Sequence, residues 1–188
     1  MELINYTHDL PNLPRCYGIV FYCMDCVENT SHKDKEGVKL NFNIVLFEGT
    51  DSIKFGMTHE EIRAILGIEP HLFKKGEFDL DMTEAYKDIC HVFYEGSVCV
   101  AFEFYTPSQV FYDNTQLMGQ ERKSFESLFS KLEGYKWKTD SLNAFDGDFS
   151  IWGRFEYVES VYINRKGYFA EGYEYYRKKY AEKYGMSF

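Results

Sequence analysis

The stretch Ile53-Lys-Phe-Gly-Met-Thr-His-Glu-Glu-Ile-Arg-Ala-Ile-Leu-Gly67 changes period in its middle, and that change decides the fold class. Ile53 and Phe55 alternate as in a strand. After Gly56 the apolar residues fall at Ile62, Ile65 and Leu66, the spacing of one helix face. Thr58 is placed as an N-cap with Glu61 three residues on, the pair that satisfies two orphan backbone donors reciprocally. Glu60 and Glu61 occupy the first turn, where the helix dipole favours negative charge, and Gly67 suits the left-handed position that ends a helix.

Working outward, the same order of helix then strands returns. Residues 71–78 suggest a short strand and 79–87 a polar, acidic loop. Residues 89–94 and 98–105 flank Glu95-Gly-Ser97 and read as a hairpin, with a third strand expected in 109–117. Phe125, Leu128, Phe129 and Leu132 predict a second helix over about 120–133, stopped by Gly134. Residues 135–138, 142–145, 149–155 and 158–163 then form extended segments, with Asp146-Gly-Asp148 as a turn. A last helix is expected over 171–184, its stripe of Tyr173, Tyr176, Tyr180 and Tyr184 suited to amphipathic packing. Upstream, 17–26 and 38–47 read as two strands around a polar segment, and Leu40, Phe42, Ile44 and Leu46 alternate.

The two helix starts lie about 60 residues apart, which suggests a repeat of pattern. The expected architecture is α+β: an antiparallel sheet in which strands from 88–117 and 135–164 pair, with helices near 58–66, 120–133 and 171–184 on one face. The other face is then free for a partner. One domain is expected over 1–188, divided into an N-terminal strand region (1–50), a first helix-plus-strands unit (51–118), and a second unit with the C-terminal helix (119–188).

Composition narrows the function. The 188 residues are 45% hydrophobic and 19% aromatic, with 17 Phe and 16 Tyr, enough for a packed core and an aromatic surface. A net charge of −9 argues against nucleic acid, which needs clustered Lys and Arg, and fits a basic protein partner. Residues 1–9 show no basic segment leading into an apolar run, and no stretch approaches the roughly 20 apolar residues of a membrane helix. The expectation is a cytoplasmic protein that does not engage a membrane.

Candidate chemistry is sparse. Cys23-Met-Asp-Cys26, with Cys16 and His32 beside it, is the one metal-like cluster; zinc needs four soft ligands and a second Cys-x-x-Cys knuckle is missing. Cys90 and Cys99 read as small core residues. His8, His32, His59, His71 and His91 have no nucleophile at a recognisable spacing. Glu77, Asp79, Asp81 and Glu84 read as a solvated acidic loop. No catalytic residue and no cofactor are expected.

The run from Phe55 to Gly67 resembles the Gly-Met-Thr-x-x-Glu-Val-x-x-x-Leu-Gly-x-Pro motif of the SmpA/OmlA outer-membrane assembly lipoproteins. It matches at Gly56, Met57, Thr58, Glu61, Ile62, Leu66 and Gly67 and departs where Ile68-Glu69 delays Pro70 by one residue. The helix-plus-strands layout also resembles the units of the β-lactamase inhibitory protein. The layout also resembles bacterial immunity proteins that partner polymorphic toxins. That resemblance implies a stoichiometric inhibitor of a cognate toxin, not a catalyst. The alternatives are an adaptor domain of a larger complex, or a metal-binding module centred on Cys23 and Cys26. On the sheet face left free by the helices, Glu103, Tyr105 and Trp152 are the expected partner-binding residues, since a carboxylate and amphipathic rings suit a wet interface with a basic protein.

Overall fold

The structure, a computed structural model, describes residues 40–185. The segment 17–26 and the cluster of Cys16, Cys23, Cys26 and His32 lie outside the described residues. In chain order the elements are β1 (Asn41–Val45), β2 (Gly49–Thr50), α1 (His59–Leu66), β3 (His71–Phe73), β4 (Thr83–Tyr86), β5 (Cys90–Glu95), β6 (Val98–Tyr105), β7 (Gln109–Tyr112) and β8 (Thr115–Gln116). They continue with α2 (Glu126–Phe129), β9 (Lys136–Trp137), β10 (Ser141–Ala144), β11 (Phe149–Trp152), β12 (Ser160–Asn164) and α3 (Tyr168–Tyr184).

Eight strands form one antiparallel sheet in the order β3-β4-β5-β6-β12-β11-β10-β9. It consists of two four-stranded meanders, each preceded by a helix, joined where β6 pairs with β12 from Ala101–Asn164 to Tyr105–Ser160. The α+β expectation is met, as is the pairing between the two halves; each unit gives four strands to this sheet rather than three, and the strand expected over 109–117 lies outside it. Glu95 pairs with Val98, so Gly96-Ser97 is a two-residue turn, and Gly96 supplies the positive φ of +65° that it needs. A second, smaller sheet, β2-β1-β7-β8, contains one parallel pair, β1 with β7.

The helical half of the opening stretch folds as it reads, whereas residues 53–55 form a bend and turn with one isolated bridge, Gly49 to Lys54, rather than a strand. Thr58 accepts from the Glu61 amide while the Glu61 carboxylate accepts from the Thr58 amide, and Gly67 ends α1 with φ +67°. Ile62 and Leu66 are buried, but Ile65 turns to solvent. Strand alternation sends Val92, Phe102, Phe104, Val161 and Ile163 to one face, where they meet Phe42, α1, Phe125 and Phe129. Phe42 and Phe104 lie 4.7 Å apart between ring centroids, as do Phe129 and Phe149. Burying such rings is the main stabilising contribution.

Three expectations need correction. The second helix is short: a 3-10 turn at Arg122–Phe125 runs into the four residues of α2. Arg122 opens that turn, with its amide bonded to the Glu156 carbonyl and its side chain to neighbouring loops. Second, α3 lies on the opposite sheet face, where Tyr168 packs with Phe93, Val100 and Ala101 beside Tyr162. Asp148 directs it there, accepting from the Gly167 amide at 2.5 Å and the Phe169 amide at 2.9 Å, which caps the helix from another segment. Third, 79–87 is not all loop, since 83–86 forms β4 and buries Glu84.

Candidate functional site

The register settles where the three expected partner-binding residues point. Tyr105 and Trp152 both stand opposite Ser160, from its two sides, and Glu103 stands opposite Tyr162. All three therefore occupy the face away from Phe102 and Phe104. Glu103, however, is buried and ion-paired, with Lys75 Nζ 2.5 Å from its Oε2 and His91 Nδ1 at 3.9 Å. Burial alone would raise its carboxyl pKa. The Lys75 charge and hydrogen bond, with help from Tyr105 and His91, overcome that and hold it below the usual range. Glu103 is thus a buried charge matched inside the protein rather than an exposed rim carboxylate. Lys75 in turn sits 4.9 Å from the Phe93 ring centroid. Burial pushes the neighbouring His91 down to about 4, with Lys75 repelling its proton and Glu103 only partly compensating. The Tyr105 hydroxyl lies 2.8 Å from His91 Nδ1, which fixes the ring of Tyr105 at the end of β6.

At that same end of the sheet β11 finishes with Trp152 and leads into the loop 153–157. Phe155 is 72% exposed and Tyr157 58%, both far more open than the ordinary aromatic residue. Trp137 on the neighbouring edge strand is also exposed. The loop that carries these rings is tightly built. The buried Arg122 guanidinium donates to the carbonyls of Gly153 (2.6 Å), Thr139 (2.7 Å), Phe155 (2.9 Å) and Asp140 (3.0 Å). Gly153 donates its amide to Asp140 and Glu159 donates to Trp152, closing the loop at its base. A Cβ at Gly153 would come within 1.7 Å of the Tyr157 carbonyl oxygen, so the loop closes only with glycine there. Arg154 and Glu156 in this loop, and Lys138 and Asp140 in the turn that Arg122 ties to it, are exposed charges of both signs.

The opposite end of the sheet holds a second polar cluster, on the inner face. Glu84 is fully buried on β4. Its Oε1 accepts from His59 Nδ1 at 3.0 Å, from Arg63 Nε at 2.9 Å and from Arg63 Nη2. Its Oε2 accepts from the hydroxyls of Tyr94 (2.6 Å) and Tyr86 (2.7 Å). His59 also stacks on Tyr94, with ring centroids 3.6 Å apart. Desolvation would raise the Glu84 pKa, but the hydrogen bonds from Tyr94, Tyr86, His59 and Arg63 outweigh it and hold it low. The same contacts and burial push both tyrosines well up. Five donors on a group with about four lone-pair directions leave no acceptor for a substrate. The chemistry of this cluster is therefore to pin α1 to the sheet.

Sequence reasoning missed both clusters. His59 and Arg63 stand one helical turn apart on one face of α1, a signal that they share a partner, and Glu84 alternates with Tyr86 on a strand. Arg122 gave no such signal, because its partners are backbone carbonyls. Among the described residues no group of three or more His, Cys, Asp and Glu is placed to hold a metal ion, and no helix is long and apolar enough to cross a membrane. Cys90 and Cys99 are buried free thiols, and burial raises the pKa of each. The chain matches no family model, and no curated protein and no solved structure is similar to it.

Proposed function

We propose that the chain is an immunity-type protein of the cytoplasm that binds a basic protein toxin and neutralises it, engaging it with the aromatic end of the sheet. The observation that carries the reading is that Phe155 and Tyr157, two of the most exposed rings, stand on a loop held by two hydrogen bonds from buried Arg122, which also ties that loop to the 139–140 turn by two more. Rings on a preordered loop lose little entropy when a partner covers them, and aromatic anchors inside a charged rim are what tight interfaces use. Tyr105 and Trp152, each partly exposed, flank buried Ser160 on the adjoining strands. Glu103 contributes from beneath, by fixing the cluster that holds Tyr105. The net charge of −9 speeds encounter with a basic partner and discourages acidic ones.

Co-expression with a toxin encoded in a neighbouring reading frame tests the proposal. Cells carrying the intact chain should grow, and cells carrying Phe155→Ser/Tyr157→Ser should not, although the variant folds normally by circular dichroism. Failure of the intact chain to protect would overturn the inhibitory role. An adaptor using the same surface would bind its partner without rescuing growth.

A further inference from the structure

We infer that Glu103 and the rings beside it form an alkylammonium pocket, filled in this structure by the chain's own Lys75 and able to exchange that side chain for a lysine of a basic partner protein. The inference rests on the basic partner proposed above and gives that partner a point of entry. Every wall of the pocket belongs to the sheet. Glu103 on β6 stands opposite His91 on β5 and Tyr162 on β12, so alternation places Phe93, His91, Glu103, Tyr105 and Tyr162 on one face. The Phe93 and Tyr162 rings lie edge to face, with centroids 5.8 Å apart. Lys75 Nζ sits 2.5 Å from Glu103 Oε2, 4.9 Å from the Phe93 centroid and 6.0 Å from that of Tyr162. A carboxylate paired with a cation that also faces two rings is the arrangement by which aromatic cages hold ligand ammonium groups.

Lys75 differs from the walls in two respects. It comes from outside the sheet, from the segment between β3 and β4, on a flexible four-carbon stem. That stem can swing out while the backbone stays, since the Gly76 amide bonded to Asp79 and the packing of Phe78 on Tyr180 hold the segment in place. The site is also open on the Lys75 side: the Lys75 and His91 side chains are 24% and 25% exposed, against 7% for Glu103. An emptied pocket would leave a buried carboxylate unpaired, which is strongly unfavourable. An incoming lysine keeps that charge matched, and a neutral side chain does not, so the pocket selects an ammonium group. Tyr105, two residues along β6 and bonded to His91, joins it to the aromatic end.

The test uses the full chain and n-butylammonium, the lysine side chain without its backbone, with n-butanol as the neutral control, followed by amide and lysine ammonium NMR signals. Lys75→Ala should bind butylammonium saturably, shift the amides of residues 91, 93, 103 and 162, and ignore butanol; Lys75→Ala/Glu103→Gln should bind neither. If Lys75→Ala does not fold by itself, butylammonium and not butanol should restore its circular dichroism spectrum. The intact chain should bind butylammonium at the same residues about tenfold more weakly, losing the Lys75 ammonium signal as it does, because a tethered side chain competes. Neither binding nor rescue in Lys75→Ala, or an equal response to butanol, would overturn the pocket. Retention of the Lys75 signal in the intact chain at about a hundred times the concentration that saturates Lys75→Ala would overturn the exchange. These titrations need no toxin, so their failure removes the pocket alone. Failure of the intact chain to protect cells, with the titrations as expected, removes the inhibitory role and supports the pocket.

Discussion

The two ends of the large sheet each bury one full charge, and they satisfy it in opposite ways. At the β3 end the Glu84 carboxylate is met by side chains only: Arg63, His59, Tyr86 and Tyr94. At the β9 end the Arg122 guanidinium is met by backbone carbonyls only, from residues 139, 140, 153 and 155. A network of side chains holds one element against another, so Glu84 fixes α1 on the sheet. A network of carbonyls holds the course of the chain itself, so Arg122 fixes the loops that display Phe155 and Tyr157. The first network contains titrating groups and the second does not, which makes the two ends separable by experiment.

Breaking the Glu84 end should cost the most. Glu84→Leu strands Arg63 and two tyrosine hydroxyls against a buried apolar group, and a loss of about 3–5 kcal/mol in urea unfolding is expected. Arg122→Met should cost less, about 2–3 kcal/mol, because three of its four carbonyls belong to exposed residues that water can reach. Its local effect should be the larger of the two: amides of residues 153–159 should exchange faster with solvent while α1 amides keep their protection. Gly153→Ala sharpens the point from the backbone side. The added methyl meets the Tyr157 carbonyl, and overpacking of this kind costs about 1–3 kcal/mol while displacing the rings that the partner is proposed to contact.

The smallest expected effect is on pH dependence, and it distinguishes the two networks most cleanly. The Glu84 pKa is lowered in the folded state, so its stabilising contribution is complete above the unfolded carboxyl pKa of about 4.3 and is lost as pH falls through the folded value. Unfolding titrations from pH 6 to 3 should therefore be less steep in Glu84→Gln than in the intact chain. Arg122→Met should keep the intact slope, since a guanidinium does not titrate there. Equal slopes in all three proteins would mean that Glu84 is not stabilised as the carboxylate.

How much of this was legible in the sequence follows the range of the interactions. The Thr58–Gly67 helix, the Gly96 turn and the alternation of β6 are set by residues within a few positions of one another, and each is found where the pattern places it. That Glu103, Tyr105 and Trp152 share one sheet face was legible for the same reason, since period-two alternation fixes it; that α3 would pack on that face, which was expected to be free of helices, was not. The burial of Glu103 was not, because it depends on Lys75, brought from 28 residues away. The side chosen by α3 depends on Asp148 reaching two amides near residue 168, and the loop course set by Arg122 depends on carbonyls up to 33 residues beyond it. Long-range hydrogen bonds leave no period in the sequence. Phe155 and Tyr157 look like ordinary core aromatics until the clamped loop turns them outward.

The most direct test of the account is an isothermal titration of a cognate toxin with the intact chain and with Phe155→Ala/Tyr157→Ala, both shown to be folded. If the clamped aromatic loop is the interface, the variant should bind at least about 30-fold more weakly, equivalent to about 2 kcal/mol. Unchanged affinity in the folded variant would contradict it.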